Sequence, residues 1–299
     1  MHIQGSIPAL VTPFQRNGAL DLLAFEALVD WQLEQGSHGL VVGGSTGESG
    51  ALEESELAAL LQIGVSRAAG RVPVIAGAGG ASTARAVRLA QLARGIGADA
   101  VLAVTPYYSR PTQAGLLAHF QQLAEAGGLP VILYNVPART GVDLQPETVA
   151  RLAAHPRIIG VKEALPDPAR MQALLGLRQP GFAVLSGDDP TALRAFSAGA
   201  DGLISVVANC VPAACAELYR SARAGNMQAA REIDAMLAPL YAAAGLEPNP
   251  TPVKAGLAMM RRMQDVLRLP LLPLSPEHRP ALGAALRHAG VVLDTALAA

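Results

Sequence analysis

The chain has 299 residues, of which 51% are hydrophobic and 16% charged, and its formal net charge is −1. This composition excludes a disordered chain, and the charge balance gives no indication of a nucleic-acid or membrane partner. No apolar run approaches the roughly 20 residues of a membrane span, and the first residues lack the pattern of a signal peptide, so a cytoplasmic protein is expected.

Eight short apolar runs recur along the chain, each followed by a break of glycine, proline or polar residues. Their starts are roughly 20 to 35 residues apart, the length of one βα unit. Each run is continuously apolar, which is typical of parallel strands buried on both faces. The runs are Ile7–Thr12, Gly39–Gly43, Pro73–Ala78, Ala100–Thr105, Val131–Asn135, Ile158–Lys162, Phe182–Ser186 and Gly202–Ala208.

The segments between these runs have helical periodicity, as in Leu22–Gln35, Glu54–Ala69, Ser82–Gly95 and Gln113–Ala126. Eight βα units predict an α/β fold, a closed (β/α)8 TIM barrel formed by residues 1–211. An open, doubly wound sheet is the second possibility. Residues 212–299 predict a C-terminal helical extension, with breaks near Gly225, Pro248–Pro252, Pro270–Pro276 and Gly283.

Polar residues gather where the predicted strands end, which is the face of such a barrel that carries the chemistry. The second strand is followed by Ser45 and Thr46, the fifth ends near Tyr134 and Arg139, and the sixth ends in Lys162. The Asp188-Asp189 pair follows the seventh strand. It is a candidate Mg²⁺ site, but we favour a helix cap, and the six histidines show no ligand spacing.

Lys162 is one of only two lysines among 23 basic residues, the other being Lys254. Arginine cannot replace lysine where a neutral amine is needed, because its pKa stays above about 12. An amine at the end of an apolar strand loses its charge more readily and can attack a ketone to form an imine. The alternative is a lysine paired with Glu163 or another carboxylate.

Each of the other candidate residues also has two interpretations. The turn containing Ser45 and Thr46 can hold a carboxylate or simply cap the next helix. Tyr134 is either an acid–base partner for the amine or a buried tyrosine with a satisfied hydroxyl. Arg139 either binds a carboxylate with its planar fork or is a solvated loop arginine.

Six motifs in combination make the sequence similar to the dihydrodipicolinate synthase family, within the N-acetylneuraminate lyase superfamily, over nearly the whole chain. They are Gly44-Ser45-Thr46-Gly47-Glu48-Ser49, Thr105-Pro106-Tyr107-Tyr108-Ser109-Arg110-Pro111, Tyr134-Asn135-Val136-Pro137-Ala138-Arg139-Thr140-Gly141, Gly160-Val161-Lys162-Glu163-Ala164, Leu185-Ser186-Gly187-Asp188-Asp189 and Glu247-Pro248-Asn249-Pro250-Thr251-Pro252-Val253-Lys254.

The resemblance implies a lyase that condenses pyruvate with aspartate 4-semialdehyde in lysine and diaminopimelate biosynthesis, without a metal or organic cofactor. It implies Lys162 as the Schiff-base residue, and Tyr134, Ser45 and Tyr108 as a proton relay. Thr46 would hold the pyruvate carboxylate and Arg139 that of the semialdehyde, while Gly187 and Ile204 would line the pocket. The resemblance also implies a homotetramer, a dimer of dimers in which Tyr108 reaches in from a neighbouring subunit.

One residue departs from the family's usual pattern. The synthases carry Thr-Thr where this chain has Ser45-Thr46, and the sialic-acid lyases of the superfamily carry Ser-Thr. Arg139 points back to a synthase, because the sialic-acid lyases that resemble this chain lack an arginine there. Two alternatives stay open: N-acetylneuraminate lyase or another pyruvate-dependent aldolase, and a non-catalytic barrel that binds a keto acid for regulation.

Overall fold

The computed structural model describes residues 3–293, and within them eight parallel strands form one sheet rolled into a barrel. The predicted TIM barrel is therefore confirmed. The strands are β1 (Gly5–Pro8), β2 (Leu40–Val42), β3 (Val74–Gly77), β4 (Ala100–Val104), β5 (Val131–Asn135), β6 (Ile158–Glu163), β7 (Ala183–Ser186) and β8 (Gly202–Ser205).

The strands follow chain order around the sheet from β2 to β8, and β1 pairs with β8 in parallel. A single parallel bridge between Ala9 and Val41 joins β1 to β2 and closes the ring. With the ring closed, every strand has a neighbour on both sides, as the continuously apolar runs indicated.

β1 and β8 end earlier than the sequence predicts, because the chain changes hydrogen-bond partners there. Beyond Pro8, the Ala9 N–H donates to the Ser205 carbonyl while the Leu10 N–H donates to the Val41 carbonyl, so no regular ladder continues. Beyond Ser205, the chain turns into a 3₁₀ helix at Val207–Asn209.

Twelve α-helices surround or follow the strands in the described part of the chain. They are α1 (Leu22–Glu34), α2 (Glu54–Ala68), α3 (Thr83–Ile96), α4 (Gln113–Ala126), α5 (Pro137–Thr140), α6 (Pro146–Ala153), α7 (Pro168–Leu175), α8 (Ala192–Ala198), α9 (Pro212–Arg223), α10 (Met227–Ala244), α11 (Thr251–Met259) and α12 (Arg279–His288).

Local sequence accounts for where the first helices begin. The Asp21 carboxylate accepts a hydrogen bond from the Ala24 N–H and so satisfies one of the free donors at the start of α1. Glu53 and Glu56 form a reciprocal capping box at the start of α2. The helix that follows β2 therefore begins at a fixed point just after the turn that carries Ser45 and Thr46.

The segment after β8 is helical, as predicted, although its breaks differ in one place. α9 packs against β1 and α8, the position of the barrel's eighth helix, and α10 to α12 follow it. Gly283 lies buried inside α12, so the break predicted there is wrong, because packing of this helix face outweighs the weak helix propensity of glycine. The division into residues 1–211 and 212–299 stays a prediction, and residues 294–299 lie outside the described residues.

Two buried apolar clusters fill the structure. The smaller one lies inside the barrel, where Ile7, Ile75, Ile132 and Ile204 meet Tyr134. The larger one joins the outer strand faces to the helices. Among residues 3–293, no helix is long and apolar enough to cross a membrane.

Candidate active site

Lys162 lies on β6 with its side chain 4% exposed. It is the register partner of Tyr134 on β5, and its Nζ is 4.3 Å from the centre of the Tyr134 ring. The two side chains predicted to act on a keto acid therefore lie on neighbouring strands, at the same level of the barrel.

Glu163 is not the partner of Lys162, because successive side chains of a strand point to opposite faces. The carboxylate of Glu163 accepts hydrogen bonds from Asn135 Nδ2 at 3.0 and 3.2 Å and from the Leu165 N–H at 2.8 Å. The pairing of Lys162 with Glu163, the first carboxylate named in the alternative interpretation, is thus wrong.

The pKa of Lys162 is lowered to about 7, chiefly by burial, which penalises the charged ammonium. Asp189 opposes this shift by attracting the charge, and Arg139 adds to it by repulsion. A substantial share of the amine is therefore neutral near pH 7, which is the form that attacks a carbonyl.

Asp189 is a feature of the site that the sequence does not reveal, since the Asp188-Asp189 pair predicts a helix cap. Its buried carboxylate instead accepts hydrogen bonds from Ser205 Oγ at 2.5 Å and from the N–H groups of Val206 and Val207 at 2.9 and 3.2 Å. Burial raises the pKa of Asp189, and these donors together with Lys162 lower it. Asp189 thus joins the end of β8 to the electrostatics of Lys162.

Gly187 lies beside Lys162, and Ile204 lies inside the barrel. A Cβ added to Gly187 would approach Lys162 Cε to 2.8 Å, so only glycine leaves the lysine room in this conformation. Ile204 is fully buried on β8, within the cluster inside the barrel that contains Tyr134. Gly187 therefore borders the Lys162 side chain, and Ile204 belongs to the apolar interior of the barrel.

The turn after β2 carries Ser45 and Thr46. It is a 3₁₀ turn, Ser45–Gly47, and Thr46 is buried with its Oγ1 accepting a hydrogen bond from Asn249 Nδ2 at 2.9 Å. The Ser45 side chain is hydrogen-bonded to Tyr134. The structure thus brings Lys162, Tyr134, Ser45 and Thr46 together from three parts of the chain.

The pKa of Tyr134 is raised, chiefly by burial, although Arg139 and the bond to Ser45 pull it down. A phenol with a raised pKa stays protonated near neutral pH. Tyr134 can therefore donate a proton, and the Ser45 side chain lies next to its hydroxyl.

Arg139 lies in α5, and its side chain is exposed at a cavity that Ser45, Tyr134 and Tyr107 also line. One guanidinium N–H donates to the Asn249 carbonyl at 3.1 Å. Asn249, which belongs to the C-terminal segment, thus touches both Thr46 and Arg139. Its role was not foreseen, because nothing local in the sequence connects residue 249 with residues 46 and 139.

Tyr108 is the one predicted site residue that the structure does not bring to the others. Its side chain is 93% exposed, and its backbone has a φ of 70°, which is uncommon for a residue other than glycine. Tyr108 therefore takes no part in the site of its own chain.

The lowered pKa of Lys162 predicts how imine formation depends on pH. Below about pH 7 the ammonium dominates and cannot attack, so the rate of trapping with pyruvate and borohydride should rise through this region and then level off. Replacing Asp189 by asparagine removes an anion that favours the ammonium, and the midpoint should move to lower pH. The measurement is the initial trapping rate at several pH values.

The neighbouring Asp188 is the matched control for this experiment, since its carboxylate accepts a hydrogen bond from Thr191 Oγ1 and is not among the groups that shift the Lys162 pKa. Asp188→Asn should leave the midpoint unchanged. A wild-type midpoint near 10.5, the ordinary pKa of lysine, would contradict the prediction.

Comparison with known proteins agrees with this geometry. Residues 2–289 match the model of the dihydrodipicolinate synthetase family. A 4-hydroxy-tetrahydrodipicolinate synthase of Stenotrophomonas maltophilia is 53% identical over 94% of both chains, and one of Cellvibrio japonicus is 47% identical over 97% of this chain and 100% of its own length.

Among solved structures, a chloride-inhibited dihydrodipicolinate synthase from Acinetobacter baumannii, complexed with pyruvate, superposes with a TM-score of 0.95. It is 44% identical and covers 97% of this chain and all of its own. With a family model, close relatives and the fold in agreement over almost the entire length, the chain belongs to the dihydrodipicolinate synthetase family.

Proposed function

We propose that this protein condenses pyruvate with aspartate 4-semialdehyde to give 4-hydroxy-tetrahydrodipicolinate, a step of lysine and diaminopimelate biosynthesis. The observation that carries the proposal is the buried amine of Lys162, whose pKa is lowered to about 7, beside the Tyr134 phenol. The relatives named 4-hydroxy-tetrahydrodipicolinate synthase, which are 53% and 47% identical to this chain in sequence, support the same reaction.

In the first half of the reaction, the neutral Lys162 amine attacks the ketone carbon of pyruvate. Tyr134 gives a proton to the departing hydroxyl, and water leaves as the imine forms. Thr46 holds the pyruvate carboxylate, while Asp189 offers a negative charge to the iminium that replaces the ammonium. Loss of a methyl proton through Tyr134 and Ser45 then gives an enamine.

In the second half, the enamine carbon attacks the aldehyde carbon of the semialdehyde, whose carboxylate pairs with Arg139. The substrate's own amino group then displaces Lys162 from the imine carbon, which closes the six-membered ring and restores the free lysine. The imine itself withdraws the electrons, so this route uses no metal or organic cofactor.

The serine at position 45 favours a second candidate, a lyase of sialic acids. Arg139 weighs against it, since its guanidinium lies at the same cavity as Tyr134 and Ser45 and offers a carboxylate two parallel hydrogen bonds. Incubating the protein with pyruvate and aspartate 4-semialdehyde, and separately with N-acetylneuraminate, decides between the two. Cyclic product from the first mixture supports the proposal, and pyruvate released only in the second overturns it.

Replacing Arg139 by alanine should weaken use of the semialdehyde far more than use of pyruvate. The loss of a charge-assisted hydrogen bond costs about 1.5–3 kcal/mol, which corresponds to a rise in KM of roughly ten- to hundredfold. Steady-state kinetics with each substrate varied in turn measure this change. Arg110, which lies against Gly141 and does not line the cavity, is a suitable control, and Arg110→Ala should leave the KM for the semialdehyde unchanged.

A homotetramer, built as a dimer of dimers with Tyr108 completing the relay of a neighbouring subunit, is also part of the proposal. An almost fully exposed tyrosine in a disfavoured backbone conformation supports it, because tyrosine is favoured at interfaces. We expect tetramers in sedimentation, and a large loss of activity in Tyr108→Phe without dissociation. A fully active monomer would contradict this. The cytoplasmic location stays a prediction from the sequence.

A further inference from the structure

Lys254 is the second of the two lysines, and it lies outside the cavity of the proposed site. Its side chain is completely buried in α11. The ammonium pairs with the Glu48 carboxylate, donates to the Thr12 carbonyl at 2.8 Å and is 4.4 Å from the centre of the Phe14 ring. These three contacts of the charge are all made with the N-terminal part of the barrel.

Glu48 is the residue that ends the turn carrying Ser45 and Thr46. One of its carboxylate oxygens bonds to Lys254, and the other accepts a hydrogen bond from the Arg268 N–H at 3.0 Å. Its backbone has a φ of 55°, a left-handed conformation that an ordinary residue keeps only where its surroundings hold it. The C-terminal segment provides those surroundings.

The rest of the turn is held from two sides, by the segment that follows β1 and by the segment that precedes α11. Thr12 Oγ1 donates to the Gly47 carbonyl at 2.7 Å, and a Cβ at Gly47 would already be 3.0 Å from the Leu10 carbonyl oxygen. Asn249, just before α11, donates to Thr46 at 2.9 Å. The turn is therefore packed tightly between the end of β1 and α11, and Lys254 is the charge that joins the two.

The stability of the fold does not explain this ion pair, because removing two charges from water costs about as much as their attraction returns. An apolar pair of similar size would hold α11 against the barrel equally well. Arginine, which serves as the basic residue at 21 of 23 positions, is larger and planar and does not supply a compact ammonium for Glu48 and Thr12 together. What the lysine provides is a fixed position for Glu48.

We propose that Lys254 is a positioning residue, which holds the turn Gly44–Glu48 through Glu48 so that Ser45 meets Tyr134 and Thr46 faces the carboxylate of the keto acid. This inference rests on the proposed function. Lys254 touches neither the substrate nor Lys162 and acts only through the turn. Loss of the Lys254 side chain should therefore weaken the reaction with pyruvate before it weakens the use of the semialdehyde.

The test compares Lys254→Met, Glu48→Gln and the double variant with the wild type. A displacement of the turn of about 1 Å should lower the second-order rate of pyruvate trapping by roughly ten- to hundredfold. If Lys254 acts through Glu48, the double variant should be no slower than the slower single variant. The KM for the semialdehyde should change much less than that for pyruvate.

Arg178→Met is the matched control. The Arg178 guanidinium pairs with the buried carboxylate of Asp201, just before β8, at 2.9 Å, and neither residue bonds to the turn Gly44–Glu48. Its replacement should lower the melting temperature while leaving pyruvate trapping at the wild-type rate.

The outcomes separate the two proposals. A wild type that traps no pyruvate overturns the proposed function. A wild type that traps pyruvate, with folded Lys254→Met or Glu48→Gln equally fast, overturns the positioning role. Equal slowing in Arg178→Met at the same loss of melting temperature overturns it as well. If Lys254→Met does not fold, Glu48→Gln, which is nearly the same size, carries the test alone.

Discussion

Lys162→Arg should abolish covalent trapping of pyruvate. The wild type, incubated with pyruvate and borohydride, should gain the mass of a reduced three-carbon adduct on the peptide containing Lys162. Arginine keeps a basic side chain on the apolar end of β6, but its pKa stays above about 12, so it never presents a neutral amine. Mass spectrometry of the digested protein measures both results.

The chain contains its own control for this experiment. Lys254 is also buried and its pKa is also lowered by burial, but Glu48 binds its ammonium and opposes that shift. A lysine held as an ion pair is not a free amine, so its peptide should stay unmodified. An adduct on Lys254, or an undiminished adduct in Lys162→Arg, would show that the nucleophile was wrongly assigned.

Tyr134→Phe should lower turnover by about a hundred- to ten-thousandfold, the usual contribution of general acid–base catalysis. Phenylalanine retains the aromatic ring that lies 4.3 Å from Lys162 Nζ, so the packing around the amine is preserved. The loss should appear both in turnover and in the rate of imine formation, because both need proton transfer. Single-turnover kinetics with pyruvate separate the two.

Tyr219 on α9 provides a comparison, since it packs against His38 and Phe196 and burial raises its pKa as it does for Tyr134. Tyr219→Phe removes a similar hydroxyl without touching the site, and its turnover should stay within a few-fold of the wild type. Equal losses in the two variants would mean that Tyr134 matters for folding rather than for proton transfer.

The barrel and the nucleophile could be predicted because their signals are local. Each apolar run reports burial on both faces of a strand. The short motifs from Tyr134 to Gly141 and from Gly160 to Ala164 already contain Tyr134, Arg139 and Lys162. Lys162 stood out because an arginine-rich chain keeps lysine only where arginine fails. The structure then placed its amine beside Tyr134, as neighbouring parallel strands require.

The other contacts of the site could not be predicted from local pattern. Asn249 reaches Thr46 across 203 positions of sequence, and Asp189 binds the end of β8 rather than capping its own helix. Such contacts depend on how α11 and the end of β8 pack against the barrel. Periodicity carries no information about them, because it describes one element at a time.

The contact between the turn at Ser45–Gly47 and the C-terminal segment also sets when the site is completed during synthesis. Glu48 leaves the ribosome 220 residues before Arg268, and at about 5–20 residues per second this interval lasts on the order of ten to forty seconds. For most of it, the turn has no Lys254 or Asn249 to pack against, since Lys254 follows Glu48 by 206 residues. The pocket for the keto acid is therefore assembled last, after the barrel strands, and a nascent chain carries Lys162 well before it has a finished site.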